Sequence, residues 1–313
     1  MESQSLNSTK GSPQPPASNA LSAAFEAQME MARKKRSVWR RFLRHKLAVL
    51  GLSVLVVLIF AAITAPLIAP HDPYEPNLSA SRQAPSSLYP LGTDPIGRDI
   101  LSRVIYGTRI SLSVGLVSVS IYTLIGIILG TTAGYYRGVP DVIIMRLTDS
   151  VLSFPSLMII MTVISIVGPN IYNVMIVLGL LGWPQTCRIV RGMFLQLRET
   201  TYIEAARAIG VKDSRIIWRH MMPNSLAPLI VAATFGVASA ILTEASLSFL
   251  GLGAQPPTAS WGRMLHDAQS FTMMKSMPWM WMPPGICISL AILAINFVGD
   301  GLRDALDPRL INR

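Results

Sequence analysis

The amino-acid sequence predicts an all-α integral membrane protein with six transmembrane helices. Of its 313 residues, 51% are hydrophobic and only 14% are charged, against roughly 25% charged residues in an average soluble domain. A helix needs about 20 predominantly apolar residues to cross a bilayer, and uncharged runs of about that length recur along this chain. The composition therefore excludes an ordinary cytosolic enzyme.

Five uncharged runs account for the six predicted helices. The run at 150–187 contains 38 residues, which is enough for two helices, and Gly168-Pro169-Asn170 supplies the turn between them. Each remaining run is long enough for one helix, and these runs lie at 47–69, 110–134, 224–243 and 276–299. Six crossings place both chain termini on the same side of the membrane.

The distribution of positive charge predicts which side that is. The segments on the side of the termini carry 21 Lys and Arg residues, whereas the loops on the opposite side carry 6. Because positive residues are retained in the cytoplasm, both termini are predicted to be cytoplasmic. These segments also explain the net charge of +10, so nucleic-acid binding is not expected.

The same reasoning divides the chain into five parts. The first 32 residues lack apolar periodicity and are predicted to be disordered. The basic residues at 33–36 and 40–41 are expected to contact anionic lipid headgroups. The five parts are a cytoplasmic tail at 1–46, a first anchor helix at 47–69, an external loop at 70–109, a five-helix core at 110–299 with a cytoplasmic loop at 188–222, and a cytoplasmic tail at 300–313.

Sequence motifs for catalysis, metal binding and ion coupling are missing. Neither the two cysteines nor the four histidines have the spacing of metal ligands. No lysine lies in a P-loop, because only Lys275 precedes Ser or Thr and it follows Met274 where the motif requires Gly. No acidic residue lies in the middle of a predicted span, which leaves an ion-coupled secondary transporter as the less favoured alternative. If ATP drives this protein, another chain hydrolyses it.

Three glycines in the second predicted helix favour close helix packing. Gly126, Gly130 and Gly134 recur at four-residue spacing, which leaves one face of the helix without side chains. We expect another helix to approach this face, either within the chain or across a dimer interface. The alternative interpretation is that apolar helices simply contain many glycines.

The long cytoplasmic loop contains a short helical pattern. Thr201 and Glu204 have the spacing of a capping box, in which each side chain bonds the other residue's backbone N–H. This spacing predicts a helix that begins at Tyr202 and continues to Ile209. Gly210 ends it, because glycine tolerates the left-handed conformation at a helix C-terminus. Glu204 alternatively serves as a cap and nothing more.

One face of this short helix is suited to a partner. Tyr202, Ala206 and Ile209 share a face at spacings of four and three, and such a thin helix fits the groove of another protein. Asp213 is expected to cap a second helix that precedes Pro223. The apolar residues of that second helix are Ile216, Ile217 and Met221, and its basic edge is Arg215 and Arg219.

The loop resembles a known motif. Glu204-Ala205-Ala206, with Gly210 and Pro223 at their positions, resembles the EAA loop of ABC importer permeases. His220 and Met222 replace the usual Ile and Leu, a departure that is typical of the peptide-transporter branch. Three further blocks resemble the C-type permease subunit of dipeptide and oligopeptide importers: LGTDPIGRD at 91–99, LSFLGLG at 247–253 with QPP at 255–257, and NFVGDGLRDALDP at 296–308.

The outer blocks also have a physical interpretation. Asp94 before Pro95 has the pattern of an N-cap followed by proline at the first helical position, and Asp99 and Arg103 lie four apart as an ion pair. These features predict an amphipathic helix on the outer membrane surface. The glycines and prolines at 251–257 predict a loop that caps the outer mouth. The apolar stripe of the predicted helix is Ile100, Leu101, Val104 and Ile105.

The resemblance implies a type I ABC importer permease fold in the inner membrane of a bacterium. The chain would pair with a homologous B-type permease and enclose half of the substrate path. Two ATPase subunits would bind ATP and Mg on the cytoplasmic side, a substrate-binding protein would dock outside, and this chain would hold no cofactor. The short loop helix would couple ATP hydrolysis to transport through Tyr202, Glu204, Ala205, Ala206, Ile209 and Gly210.

Peptides are the substrate class that the resemblance implies. Nickel chelates and other small solutes stay open as alternatives, because the external binding protein selects the ligand in such importers. The third and fifth helices are the candidates to line the path, and their polar positions are Ser153, Ser156, Thr162, Thr234 and Ser239.

Overall fold

The computed structural model describes residues 39–306, and every regular element in that range is helical. Residues 39–44 are helical, a 3₁₀ turn lies at Leu78–Ala80, and a π-helical turn lies at Ile216–Met221. The α-helices are α1 (Lys46–Ile63), α2 (Ala65–Ile68), α3 (Ile100–Tyr136), α4 (Gly138–Leu152), α5 (Ser156–Val167), α6 (Ile171–Leu181), α7 (Trp183–Arg198), α8 (Thr201–Ala208), α9 (Asp213–Arg215), α10 (Met222–Phe249), α11 (Trp261–Asp267), α12 (Phe271–Ser276) and α13 (Pro278–Leu306). The predicted disordered tail and the basic residues at 33–36 lie outside the described residues, as do residues 307–313.

The membrane part consists of five continuous helices and one broken helix. Five stretches within the described residues are individually long and apolar enough to cross a membrane. The pair α4 and α5 passes the same test only together, and its two halves meet at 85°. The prediction of six transmembrane helices in an all-α protein is confirmed when this bent pair counts as one span. The five continuous stretches are Lys46–Ile68, Ile100–Tyr136, Ile171–Arg198, Asp213–Phe249 and Pro278–Leu306.

The third span has a different form from the straight helix that the sequence suggested. Its first half begins at Gly138, within a segment that we expected to be a loop. Pro155 disfavours a helical conformation at Phe154, so the chain breaks there and α5 restarts at Ser156. The predicted turn after this span is confirmed, because α5 ends before Gly168, whose φ is +102°.

The outer amphipathic helix is not a separate surface element. Asp94 does not cap a helix, because its Oδ1 accepts from the backbone N–H groups of Ile96 (3.0 Å) and Arg98 (2.9 Å) in a tight turn. Asp99 is the N-cap instead, and its carboxylate accepts from the Ser102 N–H at 2.9 Å. The predicted stripe therefore forms the first turns of α3, and its residues Ile100 and Val104 are buried in the protein.

The charged residues near the start of α3 tie the outer loops together. Arg103 does not pair with Asp99; its guanidinium lies 3.4 Å from Asp267 of α11. Arg263 lies 3.0 Å from the same carboxylate, and Arg98 pairs with Asp94 at 2.6 Å. Arg98 also lies 3.6 Å from Asp267. Asp267 therefore links the loop before α3 and the first turn of α3 to α11, at the end of the molecule that the charge distribution predicts to be external.

The three glycines of α3 form a seam with α7. A Cβ atom built at Gly126, Gly130 or Gly134 would lie 2.6 Å from an atom of α7 in each case, namely from Thr186 Cβ, the Cys187 carbonyl oxygen and Phe194 Cβ. Real Cβ atoms do not approach other atoms so closely. The expected close packing is confirmed, and it occurs within the chain.

This seam predicts a loss of stability when a methyl group is added. We expect Gly130→Ala to lower the free energy of unfolding by about 1–3 kcal/mol relative to a control, because the new Cβ would lie 2.6 Å from the Cys187 carbonyl oxygen and 2.7 Å from Val190 Cβ, and neither atom can rotate away. Thermal denaturation of the purified chain in detergent measures this loss. Gly285→Ala in α13 is the control, because open space surrounds that glycine. Equal melting temperatures for the two variants would contradict the close packing of α3 on α7 at Gly130.

Candidate coupling site

The loop helix α8 starts differently from the prediction. Its N-cap is Thr200, and the carbonyl of that residue accepts from the N–H groups of Ile203 (3.0 Å) and Glu204 (3.1 Å). The Glu204 N–H is therefore already paired and does not bond the Thr201 side chain. The predicted capping box is wrong, and the helix begins one residue earlier, at Thr201.

The end of α8 confirms the role of Gly210 in the turn. This residue has a φ of +75°, and its N–H donates to the Arg207 carbonyl at 2.9 Å. The next N–H, from Val211, donates to the Ala206 carbonyl at 3.0 Å. These two bonds form a Schellman motif, which fixes the direction in which the chain leaves the helix.

The buried face of α8 is centred on a residue that the sequence reasoning missed. Ile203 is fully buried and belongs to a hydrophobic cluster with residues of α3, α7 and the start of the fifth span. Ala206 packs against the same cluster together with Val211, so Ala206 does not share an exposed face with Tyr202 and Ile209 as we expected. The apolar contacts of Ile203 connect α8 to the core of Tyr135, Val190, Phe194, Ile216, Ile217, Met221, Met222 and Leu229.

Polar contacts at the end of α3 hold the loop in place. The Tyr135 hydroxyl donates to the Asp213 carboxylate at 2.6 Å, and the Arg207 guanidinium lies 4.9 Å from the centre of the Tyr135 ring. Asp213 is therefore bound to α3, and it is the first residue of α9 instead of its cap. Arg198 donates to the Tyr135 carbonyl oxygen. Tyr135 thus joins α3, α7, α8 and α9.

The fifth span continues directly into the loop. Residues Asp213–Phe249 form one stretch of 37 residues, because α9, the π-helical turn and α10 follow without a break. At 1.5 Å per residue this stretch is about 56 Å long, well beyond a hydrocarbon core of about 30 Å. The loop helix α8 therefore packs against the end of a helical stretch that is long enough to cross a membrane. The apolar residues of the predicted second helix, Ile216, Ile217 and Met221, are all buried.

The outer face of α8 is apolar and open. Ile209 is 80% exposed and Tyr202 is 44% exposed, and both Ala205 and Glu204 are exposed as well. Glu204 lies exposed on the surface of this helix. The outer face of α8 therefore presents exposed apolar residues beside an exposed carboxylate.

The polar positions proposed for the substrate path separate into two groups. Ser153, Thr162 and Thr234 donate their hydroxyls to carbonyls of their own helices at 2.7–2.8 Å. Ser156 and Ser239, in contrast, line a common cavity between helices. The sequence reasoning missed four further polar residues of this cavity. Tyr122, Gln185 and Thr186 lie on the second and fourth spans, which were not considered, and Thr243 lies on the fifth.

Comparison with known proteins agrees with this arrangement. Residues 126–312 match the family described as binding-protein-dependent transport system inner membrane component, and residues 35–85 match the N-terminal transmembrane domain of oligopeptide transport permease C. The chain is 44% identical over 275 residues to the dipeptide transport system permease protein of Alkalihalophilus pseudofirmus, which covers 88% of this chain and 90% of that protein.

A second relative has a related description. The glutathione transport system permease protein of Pectobacterium atrosepticum is 43% identical over 276 residues, which covers 88% of this chain and 91% of that protein. The matches extend over the broken third span, the loop with α8 and the outer blocks. The chain therefore belongs to the multi-pass membrane permeases of binding-protein-dependent ABC importers and, by its N-terminal domain, to their C-type branch.

Proposed function

We propose that this chain is the permease subunit of an ATP-driven importer of dipeptides and oligopeptides, and that α8 transmits the motion of the ATPase subunits. The observation that carries the proposal is the two-sided nature of α8. Its inner face is fixed to α3, α7 and α9 through Ile203 and Tyr135, while its outer face presents exposed apolar residues. The names of the dipeptide and glutathione relatives support the substrate class.

The proposed complex contains four further subunits. A homologous B-type permease completes the substrate path, and two ATPase subunits bind ATP and Mg, so that this chain carries no cofactor. A binding protein delivers the substrate from outside. Both termini and α8 lie in the cytoplasm, and the chain lies in the inner membrane of a bacterium. The charge distribution supports this orientation, because the segments on the side of α8 carry 21 of the 27 Lys and Arg residues.

The geometry of the loop suggests how the coupling works. When ATP closes the ATPase dimer, the groove that holds α8 moves toward the partner groove and carries the helix with it. Because α8 is packed against the start of the continuous stretch Asp213–Phe249, the fifth span moves with it. That span lines the cavity with Ser239 and Gly236. The substrate path therefore changes its access when ATP binds.

The first test identifies the partners and the docking face together. Affinity purification from native membranes in mild detergent should recover a second permease and Walker-motif ATPases, as mass spectrometry would show. We expect Ala205→Asp to reduce the recovered ATPase at least several-fold, because a carboxylate would enter an apolar groove. Ser214→Asp is the matched control, since Ser214 is equally exposed but lies on α9. Recovery of the chain alone, or equal ATPase with both variants, would refute the proposal.

The second test concerns the turn at the end of α8. We expect Gly210→Val to abolish uptake of a labelled dipeptide in cells while ATP hydrolysis by the purified complex continues. A left-handed conformation costs a β-branched residue about 1–2 kcal/mol, and the Schellman turn would rearrange. Gly192→Val is the control, because it adds the same side chain in open space on α7 without a positive φ. Full uptake by Gly210→Val would contradict the proposed role of this turn in coupling.

A further inference from the structure

The cavity between the helices has an unusual chemical character. Its volume is 460 Å³, within the range of about 300–1,000 Å³ that is typical of small-molecule sites. Helices α3, α5, α6, α7 and α10 contribute to its walls. Its lining includes no charged residue, although hydroxyl and amide groups project from several walls. The polar lining residues are Tyr122, Ser156, Gln185, Thr186, Ser239 and Thr243.

Tyr122 is held in place by two glycines from different helices. A Cβ atom built at Gly182 would lie 2.6 Å from Cδ1 of the Tyr122 ring, and one built at Gly236 would overlap the Tyr122 hydroxyl oxygen. A side chain at either Gly182 or Gly236 would collide with the ring, so the ring fits only because both positions are glycine. Because the ring is fixed on both sides, its hydroxyl has a defined position in the cavity wall.

The hydrogen-bonding groups of Tyr122 and Gln185 are available to a ligand. Among the described residues, neither the Tyr122 hydroxyl nor the Gln185 side-chain amide makes a hydrogen bond. Other polar side chains in the same helices are satisfied; Ser120 donates to the Leu116 carbonyl at 2.7 Å, for example. Gln185 is exposed and Tyr122 is half-buried, so both groups are open to water, to a substrate or to the proposed partner permease. Leaving polar groups unpaired within a membrane span is costly.

We propose that Tyr122 and Gln185 form a neutral site for the peptide bonds of the transported substrate, an inference that rests on the proposed importer function. A peptide bond offers one N–H donor and one carbonyl acceptor. A tyrosine hydroxyl and a glutamine amide each donate and accept, so the pair matches this group in either direction. Without charged residues in the wall, the site binds the backbone that all peptides share and does not select for side-chain charge.

The test compares two substrates that differ in one atom group. The complete complex with its binding protein is reconstituted in proteoliposomes and given labelled alanyl-alanine or alanyl-lactate, in which an ester oxygen replaces the amide N–H. We expect the uptake ratio of amide to ester to fall toward unity in Tyr122→Phe and in Gln185→Leu, by up to the range of about 2- to 10-fold for one lost hydrogen bond. The group that accepts from the amide N–H has no donor in the ester, and the group that donates to the carbonyl meets a weaker acceptor in the ester. The preference of the binding protein cancels, because the same binding protein serves every variant.

Matched variants control for general damage. Tyr172→Phe removes a hydroxyl from an exposed tyrosine on α6 that does not line the cavity, and Thr234→Val removes a hydroxyl that bonds its own helix on α10. Both should keep the wild-type ratio. An unchanged ratio in Tyr122→Phe and Gln185→Leu, with normal uptake, would overturn the inference. Failure of the wild-type complex to take up either substrate with ATP would instead refute the proposed function.

The glycine contact allows an independent test of the tyrosine. We expect Gly236→Ala to lower the amide-to-ester ratio as Tyr122→Phe does, because the new methyl group displaces the phenol. In the Tyr122→Phe background, Gly236→Ala should lower the ratio no further, since the hydroxyl that the new methyl group would displace is already gone. Independent, multiplicative effects of the two substitutions would contradict the placement of the hydroxyl in the site.

Discussion

The close packing of α3 on α7 is the constraint on which the rest of the structure depends. Side chains normally keep helix axes 8–10 Å apart. The glycines at 126, 130 and 134 allow atoms of α7 to lie 2.6 Å from the positions that Cβ atoms would occupy. The packing continues beyond these glycines in both directions. Toward the loop it brings Phe194 next to Tyr135 in one hydrophobic cluster, and toward the membrane middle it brings Gly182 against the Tyr122 ring.

Both functional regions therefore have the same support. The cluster that receives Ile203 of α8 and the wall that holds Tyr122 are built from the same two helices. The stretch Asp213–Phe249 then connects them, because its first turns contact α8 and its middle lines the cavity. The closely packed pair of α3 and α7 on one side and the helical stretch Asp213–Phe249 on the other connect the loop to the cavity. This stretch contains the π-helical turn at Ile216–Met221 and Pro228 within α10, two places where a helix bends.

Local sequence patterns predicted much of this structure, and tertiary contacts account for the differences. The hydrophobic runs predicted the helices, and Gly210 predicted the end of α8. Both features depend only on residues that are close together in the sequence. The caps were predicted wrongly where two candidates stood close together: Asp94 yields to Asp99, and Thr201 yields to Thr200. In both cases the competing backbone hydrogen bonds decide, and spacing alone does not reveal them.

The candidate site shows the same difference between what local sequence predicts and what tertiary contacts decide. The EAA pattern located α8, but it did not show that Ile203 is the buried anchor or that Ala206 faces inward, because those facts depend on residues of α3, α7 and the start of the fifth span. No sequence pattern around Tyr122 marks it as a functional residue. Its position follows from the absence of side chains at Gly182 and Gly236, about 60 and 110 residues further along the chain. Such a site becomes visible only when the three helices are seen together.

The outer end of the fifth span is hydrogen-bonded to α3. Glu244 of α10 is fully buried, and its carboxyl group accepts from Ser248 at 2.6 Å and from Ser111 of α3 at 3.3 Å. The Trp261 N–H of α11 donates to the same Ser111 hydroxyl at 3.3 Å. These bonds fasten α10 to α3 at the end opposite α8. In the proposed mechanism a push at α8 therefore tilts the fifth span about its outer end, and the cavity residues, which lie between the fixed end and the driven end, move relative to Tyr122.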